Sequence, residues 1–261
     1  MSTPTDASSE VLSELDGRVG RITLNRPAAK NAITVELSHG LAAAVRELEP
    51  DVDVIVIRGA GGTFCAGGDV AQLDALRAKG RDDLATMFTA FRDARSSIAK
   101  AEVPVVAVVE GHAVAGGFEL LQSCDIVLAA ESAVFSDIHA RFGQIPGGGG
   151  TQLLPRLVGL GRASALVLTG DALTARQAQE WGLVYEVAPD DGLDAALAAL
   201  ISRLTRGSRA ARTQSKRLMR QGLEVPLEDG LDLEAEVVLD HILEAGQAAS
   251  DAFTNRKDGS S

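Results

Sequence analysis

Hydrophobic and polar positions alternate along this chain with two different periods. Gly17 to Leu24 places Val19, Ile22 and Leu24 among small or polar residues, which predicts a strand. From Thr34 to Leu48 the apolar residues Leu37, Leu41, Val45 and Leu48 recur every three or four positions, which predicts a helix with Thr34 as its N-cap. Continuous β-branched or aliphatic runs follow at Val54–Ile57, Val103–Val109 and Asp125–Ala129, the signature of strands covered on both faces. Helical stretches separate them, and that alternation implies parallel strands joined by crossover helices. Beyond about residue 172 strand signals thin out, with Leu183–Val187 the exception, and helices are expected at Ala195–Leu204, Ser208–Leu223 and Leu227–Ala245.

The expected organisation is a tail over residues 1–10, an α/β core over 11–195 and a helical region over 196–261. The tail is rich in Ser and Thr and lacks periodicity. No Pro/Gly/Ser-rich linker separates core from helices, so one continuous fold is expected.

Composition narrows the function. Hydrophobic residues make up 46% of 261 positions but aromatics only 3%, so the core is aliphatic and stacking platforms for single-stranded nucleic acid are scarce. A formal charge of −11 also argues against a nucleic-acid partner. The two cysteines, Cys65 and Cys124, stand in no metal or redox spacing and are expected to be free thiols in a reducing cytoplasm. The N-terminal segment lacks the basic and apolar regions of a secretory signal, and no apolar run approaches the ~18 residues of a membrane span, so a cytoplasmic protein with no membrane partner is expected.

Glycines cluster at Gly61-Gly62 with Gly67-Gly68, at Gly116-Gly117 and at Gly147 to Gly150. The second cluster joins the strand Val105–Val109 to a helix beginning near Ala115. A strand, glycine turn and helix start in succession present free backbone N–H groups that can hold a phosphate or a polarised carbonyl oxygen. Gly159-Leu160-Gly161-Arg162 lacks the preceding strand of a dinucleotide site, and neither a G-x-S-x-G elbow nor a phosphate-loop lysine occurs.

Four segments in order carry a resemblance: Asn25 to Ala32, Phe64 to Val70, Pro104 to Asp125, and Gly143 to Gln152. Leu168-Thr169-Gly170, Ala178 to Val184, and Ala252-Phe253 with Arg256-Lys257 continue it. Together they resemble the enoyl-CoA hydratase/isomerase (crotonase) superfamily over roughly residues 14 to 257. The resemblance implies an α/β spiral of ββα units with a C-terminal helical trimerisation region, assembled as a homotrimer or a dimer of trimers. It implies an acyl-CoA thioester as substrate, with no metal and no further cofactor, and two backbone N–H groups that hold the thioester oxygen as it becomes an enolate. By position those donors are Gly68 and Gly116. The backbone of Ala66, Gly67, Gly68, Asp69 and Val70 is expected against CoA, with Arg26 or Lys30, and Arg256 or Lys257, toward its phosphates.

Hydratases of that family use two glutamates. Glu119 matches the one that activates water, whereas the position of the other is occupied by His139, flanked by Asp137 and Arg141, either of which can orient or charge-pair it. Histidine also transfers protons near neutral pH. Hydration or isomerisation of an enoyl-CoA through Glu119 is the first expectation. Hydrolysis of a thioester or β-dicarbonyl bond through His139, and non-catalytic acyl-CoA binding, remain open. The stretch from Leu73 to Phe91 is expected to line an acyl pocket; His39 and His241 lie outside the site motifs, and His112, in the turn before the second glycine pair, is expected to be structural.

Overall fold

The computed structural model describes residues 9–254, with side chains through residue 244. Most of the expected tail and the Arg256-Lys257 pair lie outside the described residues. Ser9 and Glu10 are already engaged, the carbonyl of Glu10 accepting a 2.7 Å hydrogen bond from Asn25 N.

The chain opens with a hairpin of β1 (Val11–Asp16) and β2 (Val19–Leu24), turned at Gly17, where φ is +60°. Then come α1 (Val35–Leu48), β3 (Val54–Gly59), α2 (Val70–Lys79) and α3 (Arg81–Lys100). Next are β4 (Val105–Val109), β5 (His112–Val114), α4 (Gly116–Leu121), β6 (Ile126–Ala130) and β7 (Val134–Ser136). The first unit continues with α5 (Gly150–Val158), α6 (Leu160–Thr169), β8 (Ala172–Thr174), α7 (Ala175–Glu180), β9 (Glu186–Ala188) and α8 (Leu193–Leu204). It ends at Arg206, and a second compact unit begins at Gly207, holding α9 (Arg209–Gly222) and α10 (Leu227–Thr254).

The main sheet has the order β1-β2-β3-β4-β6-β9, parallel throughout except for the β1–β2 hairpin. Its centre is buried on both faces, as the uninterrupted apolar runs predict. Ile55, Ile57, Val105, Ala107 and Val109 point into the larger core, beside α1 and α3. Val54, Val56, Val106, Val108 and Leu128 point the other way, onto Leu193, Leu197 and Leu200 of α8. That packing makes α8 part of the first unit, so the boundary falls after Arg206, later than the expected 195/196 division.

A small second sheet, β5-β7-β8, was not expected. β1 was missed as well. The predicted stretch Leu73–Phe91 is broken at Gly80, whose φ of +114° ends α2. The other expected elements are present, most within a few residues, although α10 runs to Thr254, past the expected end at Ala245; Thr34 caps α1 through a 2.9 Å bond from Leu37 N. Among the described residues no helix is long and apolar enough to cross a membrane.

In the second unit α9 and α10 pack on one another. Met219, Leu223, Leu227, Leu231, Leu239 and Leu243 remain exposed there.

Candidate active site

Asn31 is fully buried and ties the first motif to the second. Its side-chain oxygen accepts from Arg26 N at 2.9 Å, and its amide nitrogen donates to the carbonyls of Ala60 and Thr63 at 2.9 and 2.7 Å. Ala66 N then donates to Lys30 O, Ile33 N to Gly67 O, and Asp69 N to Ile33 O, at 2.7 to 3.0 Å. This ladder uses the amides of Ala66 and Asp69 and leaves that of Gly68 with no protein acceptor among the described residues.

β5 runs alongside the same segment: Cys65 N donates to His112 O and Val114 N to Cys65 O, both at 3.0 Å. Ala115 then turns the chain into α4 with φ +49° and ψ −120°, a conformation that costs an L-residue about 1–3 kcal/mol. Its N–H is anchored to Ser136 O at 2.9 Å. Gly116 follows as the first residue of α4, so its N–H has no acceptor within the helix. The two glycines are adjacent: a β-carbon on Gly116 would lie 3.5 Å from Gly68 N and 2.9 Å from Ile33 Cδ1. The predicted donor pair is thus brought together, with no room for a side chain at Gly116.

Glu119, one turn along α4, is 2% exposed. Its Oε1 accepts two hydrogen bonds, from Gly148 N and Gly150 N, each at 2.8 Å. These donors belong to the third glycine cluster. Their role is main-chain, and the approach is close: a β-carbon on Gly148 would stand 2.6 Å from Glu119 Oε2. The other carboxylate oxygen faces His139 Nε2 at 3.9 Å. The second ring nitrogen of His139 meets Asp137 Oδ1 at 2.6 Å. Asp137 is fully buried, and its Oδ2 has no hydrogen-bond partner.

Electrostatics separates the two proton-carrying groups. Burial drives the Glu119 carboxyl above the usual carboxylate range, against the bond from Gly150 and the neighbouring His139. Burial opposes charge on His139, but the hydrogen bond and charge of Asp137, with help from Glu119, hold it above the ordinary histidine value. Both shifts favour the protonated form, and the two groups face each other across the site.

Of the two flanking residues expected to orient or charge-pair His139, Asp137 is the one that meets its ring. Arg141, the other flank, turns instead to Asp171 at 3.0 Å. Arg26 is likewise occupied: its guanidinium bonds Ala32 O at 2.6 Å and pairs with Asp69 and Glu10 at 2.9 Å. Asp69 also caps α2 through Gln72 N, so it and Arg26 act as braces of the segment that carries Gly68. Lys30 is exposed and Val70 is 66% exposed at the start of α2. His39 and His112 lie exposed on α1 and β5. No group of three or more His, Cys, Asp or Glu among the described residues is arranged to hold a metal ion.

A parallel sheet whose glycine turns converge beside a buried carboxylate is the architecture of the crotonase class. The sequence profile of the enoyl-CoA hydratase/isomerase family matches residues 14–259. A probable enoyl-CoA hydratase of Mycobacterium bovis is 36% identical over 224 residues, covering 85% of each chain. The 2,3-dehydroadipyl-CoA hydratase of Escherichia coli is 38% identical over 234 residues, covering 88% of this chain and 89% of its own. The crystal structure of an enoyl-CoA hydratase homologue from Thermobifida fusca, in complex with acetoacetyl-CoA, superimposes with a TM-score of 0.84 at 31% identity, covering 92% of this chain and 99% of that one. The protein belongs to the enoyl-CoA hydratase/isomerase family.

Proposed function

We propose that this protein hydrates a 2-enoyl-CoA, with Glu119 as base, His139 as acid and the amides of Gly68 and Gly116 as oxyanion donors. The observation that carries this reading is the facing pair: Glu119 Oε2 and His139 Nε2 stand 3.9 Å apart, each held from behind by its own hydrogen bonds. At that separation one water can lie about 2.8 Å from both, an ordinary hydrogen-bond length.

In the proposed cycle Glu119 takes a proton from this water as its oxygen bonds to C3. The C2–C3 π electrons move toward the thioester, whose oxygen becomes an enolate held by the two amides. Each such donor lowers a barrier of this kind by about 3 kcal/mol. His139 Nε2 then gives its proton to C2 as the enolate collapses. Glu119 is left protonated and His139 neutral, and a proton passing from one to the other through the next water restores both.

Relatives named as hydratases support the reaction class, and the acetoacetyl-CoA complex of a relative supports the ligand class. Isomerisation of an enoyl-CoA needs only one proton shuttle and fits the same Glu119. Hydrolysis through His139 is less well supported: a general base must be neutral, and Asp137 favours the charged ring. For CoA itself, the backbone of Gly67 to Val70 and the exposed Lys30 form the expected contact surface. A trimer, alone or paired, is our reading of the assembly, supported by the apolar side chains exposed on α9 and α10. The two free thiols, Cys65 and Cys124, fit a cytoplasmic location.

Crotonyl-CoA incubated with the enzyme tests the reading. Hydration yields 3-hydroxybutyryl-CoA with the thioester intact, and Glu119→Gln lowers the rate by about 10²–10⁴-fold. Release of free CoA in place of that product, or full activity of the variant, would overturn it.

A further inference from the structure

The segment Gly147–Gly150 has two sides. Gly148 and Gly150 hold Glu119, whereas Gly147 and Gly149 face α3 and border a cleft of about 530 Å³. Its other wall is one stripe of α3: Arg81, Leu84, Ala85, Phe88, Arg92 and Arg95 follow helical spacing on one face. The opposite face of the helix, with Met87, Ala90, Phe91, Ala94 and Ile98, is buried in the core.

Three arginines in one cleft are conspicuous in a chain of net charge −11. None of its lining residues is acidic, and none of the three arginines makes an ion pair among the described residues. Arg95 is half-buried, its Nε donating to Ser123 Oγ at 3.0 Å and its guanidinium lying 6.0 Å from the centroid of Phe91. Its terminal nitrogens press on the glycine segment: a β-carbon on Gly149 would be 2.6 Å from both. The remaining nearby charge, Glu119, is bound by two amides on the far side of that segment. Burial works against the charge on Arg95, and Glu119, which makes no direct ion pair with it, offsets only part of that, so an anion in the cleft would supply the missing partner. Leu84, Ala85 and Phe88 supply an apolar wall between the charged positions.

We propose that this cleft receives the far end of the acyl chain and selects acyl groups that end in a carboxylate, with Arg92 and Arg95 binding it and Arg81 at the mouth. This rests on the hydratase reading above, since C2 and C3 must lie at Glu119 and His139 for the chain to run past Gly147–Gly150 into the cleft. An apolar stem along Leu84 and Phe88 with a carboxylate against two guanidinium forks matches the lining. Arginine is the side chain that binds such a group through paired hydrogen bonds.

The test compares hexanoyl-CoA with adipoyl-CoA, equal in length and differing in the terminal group, by calorimetric titration of the full-length protein. Their 2,3-unsaturated counterparts are compared by turnover. The carboxylate-ended member is expected to bind at least about tenfold more tightly, and Arg92→Gln to remove most of that preference, because one charge-assisted hydrogen bond is worth one to two decades. Equal affinity for the two, or a preference that survives in both Arg92→Gln and Arg81→Gln, overturns the inference. A loss of affinity for both ligands alike in Arg92→Gln also overturns it, since that result places the CoA phosphates in the cleft. Preferential binding without hydration of either substrate sinks the hydratase reading and leaves the carboxylate subsite standing. Hydration without preference does the reverse.

Discussion

Replacing Asp137 with Asn removes one charge from behind His139 and leaves the shape of the site intact. The Asn oxygen can still accept from Nδ1, at the position where Asp137 Oδ1 now stands 2.6 Å away, so the ring keeps its orientation. What changes is the reward for carrying a second proton. A hydrogen bond to a charged partner exceeds a neutral one by about 1–1.5 kcal/mol. The direct attraction adds to this, up to about 4 kcal/mol for charges ~4 Å apart at an effective dielectric constant near 20. The imidazolium-to-imidazole ratio should therefore fall at least about tenfold at any pH. His139 now sits above its ordinary value, and in the variant burial is opposed only by Glu119 and a neutral hydrogen bond, so it moves down. If the imidazolium is the proton donor to C2, activity is lost as pH rises through that value, so the alkaline limb of kcat/KM moves to lower pH. The acid limb, which reports Glu119, shifts little, because Asp137 and the charge on His139 act on it in opposite senses. The assay is crotonyl-CoA hydration from about pH 5 to 9, the range in which histidine charge changes. The variant should approach wild-type rates at the acidic end and fall at least tenfold behind near pH 8. An equal loss at every pH would reduce Asp137 to a structural support, and an unchanged profile would remove His139 from the proton path.

Glu119→Gln should raise the melting temperature while removing hydration, because it deletes a buried charge and keeps an oxygen for Gly148 and Gly150. The folded carboxyl lies above its unfolded value, so the stability penalty it imposes is absent at low pH and grows as pH rises through the folded value. Calorimetric scans should accordingly show the gap between variant and wild type opening with pH; a constant or inverted gap contradicts the burial argument. Gly148→Ala pushes a methyl group to within 2.6 Å of Glu119 Oε2 and against Phe91, so kcat should drop at least about tenfold while the protein stays folded by circular dichroism. Unchanged kcat would mean that the carboxylate does not need its present seat. Ala115→Gly relieves φ +49° and ψ −120°, a saving of about 1–3 kcal/mol against the roughly 0.4–1 kcal/mol usually lost to the greater freedom of glycine in the unfolded chain. Urea unfolding should show equal or greater stability, and a clear decrease would show that Ala115 is not strained.

The parallel core was legible because β3, β4 and β6 are buried on both faces, and an uninterrupted run such as Val105 to Val109 has few other readings. β1 was not legible, since an edge strand of which only Val11 is buried shows no period against a polar tail. The strands β5, β7 and β8, three residues each, are shorter than any periodicity can register. At the site, Glu119, His139 and the paired glycines are brought together by motif, whereas the choice between Asp137 and Arg141 as the partner of His139 is made only by the fold. Gly148 and Gly150 act through backbone amides that carry no residue signature, and Asp137 acts through an orientation decided by the turn between β7 and His139. Arg26 is a basic residue in a binding motif and reads as a ligand, while in the fold its guanidinium is engaged by Glu10, Asp69 and the Ala32 carbonyl. Arg92 and Arg95 lie just beyond the stretch expected to line the acyl pocket, and only the fold sets them opposite Gly147 and Gly149.

The exchange of a glutamate for His139 looks at first like the loss of a hydratase pair, and the charge count argues otherwise. Two glutamates that share one proton carry one negative charge between them, with one base and one acid. Glu119, His139 and Asp137, with the imidazole protonated, also carry one net negative charge with one base and one acid. On the proposed reading the substitution keeps the charge facing C2 and C3 only because Asp137 comes with it; without that carboxylate the burial of the ring is opposed by Glu119 alone. The two positions are thus coupled, and their effects should fail to add. His139→Glu alone would crowd three carboxylates into one buried site, raising the pKa of each neighbour. His139→Glu combined with Asp137→Asn restores the two-glutamate balance. The double variant should therefore recover hydration that the single one lacks, with an alkaline limb no longer set by an imidazole. Recovery in the single variant, or none in the double, would mean that the charge count is not what keeps this pair functional.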